Sequence, residues 1–382
     1  MYDFEKKIGI VKIMCRRGDI DSHFTPPELC QEILDKICVT DKKILTFNFE
    51  FALTLMYKYN VDKSNITLVS SNDLVKKICE KGGVKCIDTM EPNMKFDVVV
   101  GNPPFKNGNE IGGRSALWRK FVAKSWDLVR DGGSLSMITP RFPNSASDLG
   151  HIFIENQTTT VWTKISHHFP GIGSSFAAWT VIKTPKYTTT EFIDDGLKLD
   201  VTTKPLPKDL RSVSIIDKVM NNVLFECKSS SEYLHTSVAD GNNDNHIYSK
   251  KTIDHTYAIR RTSGENYTMW GAVLPTDYYS SKVVMTFSGN PHYKFHDSSN
   301  PIGTIKYLSG CILVNNEDEA ENLINLFNSS LYKYIQKQMS SGGMRGKAFY
   351  EMPKLDITKS WSDIDIYNRF NLTPEEIELI TE

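Results

Sequence analysis

Apolar positions in the first half of the chain alternate between helical and strand-like spacing. Pro26 and Pro27, followed by Leu29, Ile33, Leu34 and Ile37 on one face, predict a helix over Pro26–Ile37. Apolar runs at Lys43–Phe47, Asn65–Val69, Val84–Ile87 and Phe96–Val100 predict four strands. Helices are predicted between them at Phe51–Tyr59 and Asp73–Lys81, the second ended by Gly82-Gly83. Phe96-Asp97-Val98-Val99-Val100 is apolar enough to be central in a sheet covered on both faces. Ala116–Val129 reads as a helix with Asp131-Gly132-Gly133 after it, and further strands are expected at Ser134–Ile138 and Ala177–Lys183. Repeated strand–helix alternation predicts an α/β fold with a mostly parallel, doubly wound, Rossmann-like sheet.

The pattern changes after residue 186. Lys186–Ser230 is polar and threonine-rich, carries Pro205 and Pro207, and reads as an exposed connection. Residues 231–310 hold short strand-like pieces, Val283–Phe287 and Ile302–Leu308, between clusters of Gly, Asn, Asp and Ser. Glu317–Gln336 predicts one amphipathic helix with Leu323, Ile324, Leu326, Phe327, Leu331 and Ile335 inward. Gly342-Gly343 follows, and Phe349–Leu355 reads as extended. Thr373-Pro374 opens a last short helix. A second, mixed α+β domain is therefore expected, with boundaries at 1–187 and 188–382.

Composition narrows the class. A length of 382 residues suits two or three domains, and 40% hydrophobic with 24% charged residues is ordinary for a globular chain. Lys plus Arg (45) nearly balances Asp plus Glu (46), which excludes a strongly basic chain while leaving room for a local basic cleft. No run of about 18 apolar residues occurs, so no membrane span is expected. The N-terminal Met1-Tyr2-Asp3-Phe4-Glu5 does not read as a secretory signal. Seven scattered cysteines without CxxC spacing predict a reduced, cytoplasmic setting with neither a disulfide framework nor a metal site.

The sharpest chemical feature is Asp97-Val98-Val99-Val100-Gly101-Asn102-Pro103-Pro104-Phe105. A buried strand ends directly in Asn-Pro-Pro-aromatic, at the sheet edge where doubly wound folds bind ligands. Two prolines fix φ and remove two donors. The Asn102 amide oxygen and the Pro103 carbonyl are two rigid acceptors for the hydrogens of an exocyclic amine, and Phe105 could stack on the ring that bears it. The plainer reading is a rigid turn with a buried Phe.

Val100-Gly101-Asn102-Pro103-Pro104-Phe105 resembles the catalytic motif of amino-methyltransferases acting on adenine N6 in DNA, and the order of the chain is similar to their gamma class, as in type IIG restriction–modification proteins. His23–Leu29 is similar to the family motif whose Thr-Pro turn contacts the methionine part of S-adenosyl-L-methionine, here Thr25 and Pro26. Ile87-Asp88-Thr89 resembles the motif whose acid holds the cofactor's adenine amine. Leu117-Trp118, Phe121, Asp131–Leu135 and Ile138-Thr139-Pro140 resemble later core motifs, and Phe169 through Ile182 the one whose aromatic residue, here Phe176, packs on an extruded base. Leu323–Tyr334 resembles the closing helix of specificity domains in type I and type IIG proteins, and Leu372–Ile380 their tail.

The chain departs from the family in the first motif. An Asp-Pro followed by a glycine-rich turn is expected, and Thr46-Phe47-Asn48-Phe49-Glu50-Phe51 stands there instead. The acid expected on the cofactor ribose is replaced by Ser70-Ser71-Asn72. The implied cofactor set is Thr25, Pro26, Thr46, Asn48, Glu50, Ser70, Asp88 and Asn102, with Asn102, Pro103, Pro104 and Phe105 catalytic.

For DNA, Lys106 and Arg114 flank a Gly/Asn loop suited to a flap, and Gly342–Lys347 offers Arg345 and Lys347 on a flexible basic segment. Arg260, Arg261, Lys282 and Lys294, interleaved with tyrosines, are further candidates as a group; each alone reads more often as a solvated charge. Gly171–Ser175 reads as a pocket-lip loop, His167-His168 as solvated histidines and Asp97 as structural.

The resemblance implies site-specific methylation of adenine N6 in double-stranded DNA after base flipping, in the cytoplasm of a prokaryotic or phage-infected cell, with a second methyltransferase subunit or a homodimer as a further partner. The alternative is an inactive methyltransferase-like subunit or decoy that binds nucleic acid. A third reading, methylation of RNA or a protein amide, uses the same motif chemistry.

Overall fold

A computed structural model describes residues 2–17, 24–103, 117–145, 148–170, 176–202, 204, 206–227, 251–260, 268–287, 291–305, 309–339 and 352–382. Two compact units divide the chain, Met1–Pro205 and Leu206–Glu382.

The first unit opens with α1 (Tyr2–Arg17), which the apolar pattern did not single out, and α2 (Pro27–Leu34), begun by its prolines. Then come β1 (Ile44–Thr46), α3 (Phe49–Lys58), β2 (Ile66–Val69), α4 (Asp73–Gly82), β3 (Lys85–Ile87) and β4 (Phe96–Gly101). Asn72 caps α4 by accepting from Leu74 N and Val75 N, and Gly83 at φ 72° ends it in the left-handed region that glycine enters freely. α5 (Leu117–Leu128), β5 (Val129–Thr139), α6 (Gly150–Glu155), β6 (Gln157–Trp162), β7 (Ala177–Ile182), β8 (Thr190–Phe192) and β9 (Leu197–Leu199) complete the unit.

These nine strands form one sheet in the order β3-β2-β1-β4-β5-β7-β6-β8-β9. β3 through β5 are parallel, and β7 lies antiparallel between β5 and β6. The fold is thus α/β with a mostly parallel, Rossmann-like sheet. The chain leaves β1 toward β2 on one side and returns to β4 on the other, so the order reverses between β1 and β4. Crevices at the carboxyl ends of such a pair are where open α/β sheets bind ligands. Val98, Val99 and Val100 are 0–1% exposed, which accounts for their unbroken apolar run.

The first unit extends beyond the expected end at residue 187, because β8 pairs in parallel with β6 and β9 pairs with β8. Asp131-Gly132-Gly133 follows α5, which stops at Leu128, and forms an irregular stretch inside β5, with Gly132 at φ 73°.

The second unit contains α7 (Val213–Met220), β10 (Tyr257–Arg260), β11 (Thr268–Gly271), β12 (Lys282–Thr286), β13 (Tyr293–His296), β14 (Gly303–Thr304), β15 (Ser309–Leu313), α8 (Glu317–Asn328), α9 (Ser330–Met339), α10 (Asp363–Arg369) and α11 (Pro374–Thr381). β11-β10-β14 and β13-β12-β15 are two small sheets, so the unit is mixed α+β. Its core joins Val283, Met285 and Ile312 to Leu323, Phe327, Leu331 and Tyr332. The expected exposed connection over Lys186–Ser230 instead holds β8, β9 and α7, and α7 buries Ile215, Ile216 and Val219. The single helix expected over Glu317–Gln336 is broken. Ser329 turns extended at ψ 158°, and Asp363 holds both the main-chain N–H and the hydroxyl of Ser330 at 2.9 and 2.7 Å. Lys282 is no phosphate contact: it is 1% exposed and its ammonium donates to the carbonyls of Asp277 and Tyr278. Arg260 is 7% exposed.

Candidate active site

β4 delivers Asn102 to the carboxyl edge of the sheet beside the turn that follows β1. Gly101 is required there: a Cβ would lie 2.8 Å from Phe47 Cδ2 and 2.9 Å from Asn48 Oδ1. The main chain of Asn102 is held from both sides by Asn48. The Asn102 N–H donates to Asn48 Oδ1 at 2.6 Å, and Asn48 Nδ2 donates to the Asn102 carbonyl at 3.1 Å. The Asn102 side chain donates from Nδ2 to Thr25 Oγ1 at 3.3 Å. Its Oδ1 is buried and has no hydrogen-bond partner among the described residues. A buried acceptor left empty costs about 1–3 kcal/mol, so an amine or amide hydrogen that reached it would be bound favourably. Pro103 is buried beside it. Pro104, Phe105, Lys106, Arg114, Arg345 and Lys347 lie outside the described residues, as do residues 107–113 and 171–175.

Thr25 precedes α2, and its N–H donates to Glu50 Oε1 at 2.9 Å. Glu50 sits in the first turn of α3 and is 1% exposed. Burial pushes its carboxyl up to about 7, against the pull of its own N–H and that of Thr25. The Cys30 thiol nearby is pushed well up, by its own burial first and by the Glu50 charge second. Thr46 Oγ1 accepts from Asn48 N at 3.3 Å. Thr25, Thr46, Asn48 and Glu50 are all 0–1% exposed and hydrogen-bonded within the protein. The network through Asn48 and Glu50 is what sequence reading missed. Its trace in the chain was polar residues set between the phenylalanines where glycines were expected.

Three members of the expected cofactor set are accessible. Pro26 is half-buried at the start of α2. Ser70, half-buried at the end of β2, accepts from Asn72 N at 3.2 Å. Asp88, one residue past β3, is exposed and pairs with Lys76 at 2.5 Å. Phe176 is 2% exposed, with its ring 4.7 Å from that of Phe169. Asp97 stands at the opposite end of β4, where it accepts from Lys43 N at 2.7 Å and pairs with Arg130. The His167 and His168 rings lie 4.1 Å apart. Burial, then His167, lowers the pKa of His168. His168 lines an open groove with Phe24, Pro26 and Phe169. Among the described residues no group of three acidic, histidine or cysteine side chains could hold a metal, and no helix is long and apolar enough to cross a membrane.

No curated protein matches the chain. Among solved structures, it is similar to a Listeria monocytogenes protein assigned to the class I S-adenosylmethionine-dependent methyltransferases, at 16% identity and a TM-score of 0.34, over 50% of this chain and 65% of that one. A methyltransferase from Pyrococcus furiosus is similar at 14% identity and a TM-score of 0.30, over 48% of this chain and 99% of that one. The M protein of the type I restriction enzyme EcoKI is similar at 13% identity and a TM-score of 0.34, over 43% and 44%. The chain thus spans less than two thirds of the Listeria and EcoKI proteins. Residues 36–167, which hold the β1–α3 turn, Asn48, Glu50 and Asn102, match the model of the Eco57I restriction-modification methylase family.

Proposed function

We propose that the protein is an S-adenosylmethionine-dependent methyltransferase that modifies the N6 amine of adenine in double-stranded DNA, with the base turned out of the helix. The observation that carries this reading is the buried Oδ1 of Asn102, without a partner among the described residues, at the carboxyl end of a central parallel strand. Adenine N6 is a poor nucleophile because its lone pair is delocalised into the ring. Two acceptors, Asn102 Oδ1 and the Pro103 carbonyl, would take its two hydrogens and draw the nitrogen toward a pyramidal geometry with its lone pair free. The chain needs no strong base for this, since the proton can leave after the nitrogen has attacked. A flipped base fits such a pocket because its amine is otherwise paired inside the duplex. Pro104 and Phe105 would complete the pocket, with Phe105 stacking on the base.

The accessible polar side chains, Ser70 and Asp88, suit the nucleoside half of the cofactor. The Ser70 hydroxyl would hold the ribose and the Asp88 carboxylate the adenine amine. Phe47 and Asn48 of the β1–α3 turn pack closely against Gly101, and Thr25 and Pro26 would face the methionine half. When bound, the cofactor supplies an electrophilic methyl on a sulfonium. Lys106, Arg114, Arg345 and Lys347 would neutralise DNA phosphates, and the second unit would supply target recognition. A second methyltransferase subunit or another copy of this chain is the further partner.

The test is titration calorimetry with S-adenosylmethionine, followed by labelled methyl transfer to DNA that lacks adenine methylation. Binding heat and label in the DNA are expected, with Asn102→Ala lowering transfer about a hundredfold or more while DNA binding stays nearly unchanged. Unaltered turnover in Asn102→Ala would refute the assignment. The absence of both heat and label would point to the inactive, nucleic-acid-binding alternative.

A further inference from the structure

Four buried polar residues form one connected network that ends on Asn102, through side chains and main chain together. Glu50 Oε1 takes the Thr25 N–H at 2.9 Å, Thr25 Oγ1 takes Asn102 Nδ2 at 3.3 Å, and Asn48 makes two bonds to the Asn102 main chain at 2.6 and 3.1 Å. They come from three places in the chain, the segment before α2, the first turn of α3 and the end of β4. A turn that needed only to be rigid could be packed with apolar side chains at no desolvation cost. This one retains a carboxyl that is 1% exposed.

We propose that Asn48 and Glu50 are positioning residues. Asn48 fixes the main chain of Asn102, and Glu50 fixes Thr25. Thr25 in turn takes the amide nitrogen of Asn102, so that Oδ1 is the side-chain atom offered to an incoming amine hydrogen. A planar amide has two orientations that exchange a donor for an acceptor. Only the orientation with Nδ2 on Thr25 presents an acceptor to the amine. The segment that replaces the glycine-rich turn therefore works on the amine acceptor. The identity of that amine rests on the methyl-transfer reading above; the orientation of the amide does not.

The test uses the full chain labelled with 15N-asparagine. The Asn102 side-chain NH2 pair is assigned by its loss in Asn102→Asp, and its solvent exchange is followed by NMR. The pair is expected to exchange slowly in the wild type and in Glu50→Gln, which keeps an acceptor oxygen. Exchange should quicken about tenfold in the isosteric Thr25→Val and in Glu50→Met, the change expected for loss of one hydrogen bond. Fast exchange in the wild type, or unchanged exchange in Thr25→Val, would overturn the proposal. Should Glu50→Met fail to fold, Thr25→Val together with rescue in Glu50→Gln carries the test. A wild type that keeps the slow pair but methylates no DNA would sink the functional reading and support the positioning one.

Discussion

Replacing Glu50 by Gln should make the first unit more stable at pH 8 than the wild type, relative to the same comparison at pH 4.5. In the folded chain the carboxyl titrates near 7, against 4.5 for the free group, because it is buried. Below pH 4.5 it is protonated in both states and has no effect on the balance. Between 4.5 and about 7 the unfolded chain releases this proton while the folded chain keeps it, so stability falls as pH rises. Above 7 both forms are charged and the loss is complete. The gap between 4.5 and about 7 corresponds to about 3 kcal/mol. Gln has nearly the same shape, keeps an acceptor for the Thr25 N–H and carries no charge at any pH. Its constant packing offset cancels when the two pH values are compared. Urea unfolding followed by tryptophan fluorescence, to which the buried Trp162 and Trp179 of the first unit contribute, measures the difference. The neighbouring Cys30 thiol stays protonated through this range, since its pKa is raised. A gap between variant and wild type that is the same at pH 4.5 and pH 8 would refute the burial argument.

Gly101→Ala should lower the first unit's stability by about 1–3 kcal/mol, because the new methyl meets Phe47 and Asn48 at 2.8 and 2.9 Å; an unchanged melting temperature would contradict the close approach. Lys282→Met should destabilise the second unit by about 2–4 kcal/mol, since the carbonyls of Asp277 and Tyr278 lose a buried charged donor. Hydrogen exchange in β12 and β15 reads that loss directly, and unaltered protection there would speak against it.

The parallel sheet was legible because its central strands are buried on both faces and so read as continuous apolar runs, with Val98-Val99-Val100 the clearest. The break between α8 and α9 was not. Leu326, Phe327, Leu331 and Ile335 keep helical spacing across it, and the interruption is enforced by Asp363, 33 residues away. β8 and β9 were not legible because each is only three residues long, too short for a period to show. At the site, Asn102 was legible from its local sequence, whereas the polar network around it was not. The Asn48–Asn102 contact spans 54 residues and the Thr25–Asn102 contact 77, so no local pattern contains either. The resemblance implies a cofactor role for Thr25, Asn48 and Glu50; in the structure Asn48 and Thr25 bond Asn102, and Glu50 bonds Thr25.

The most direct test of the central idea is to digest DNA exposed to the purified protein and S-adenosylmethionine, and to weigh its nucleosides by mass spectrometry. N6-methyl-2′-deoxyadenosine should accumulate with the wild type and be absent with Asn102→Ala. A methyl group on any other base, or equal amounts of product from the two proteins, would contradict a mechanism in which the oxygen of Asn102 holds the adenine amine.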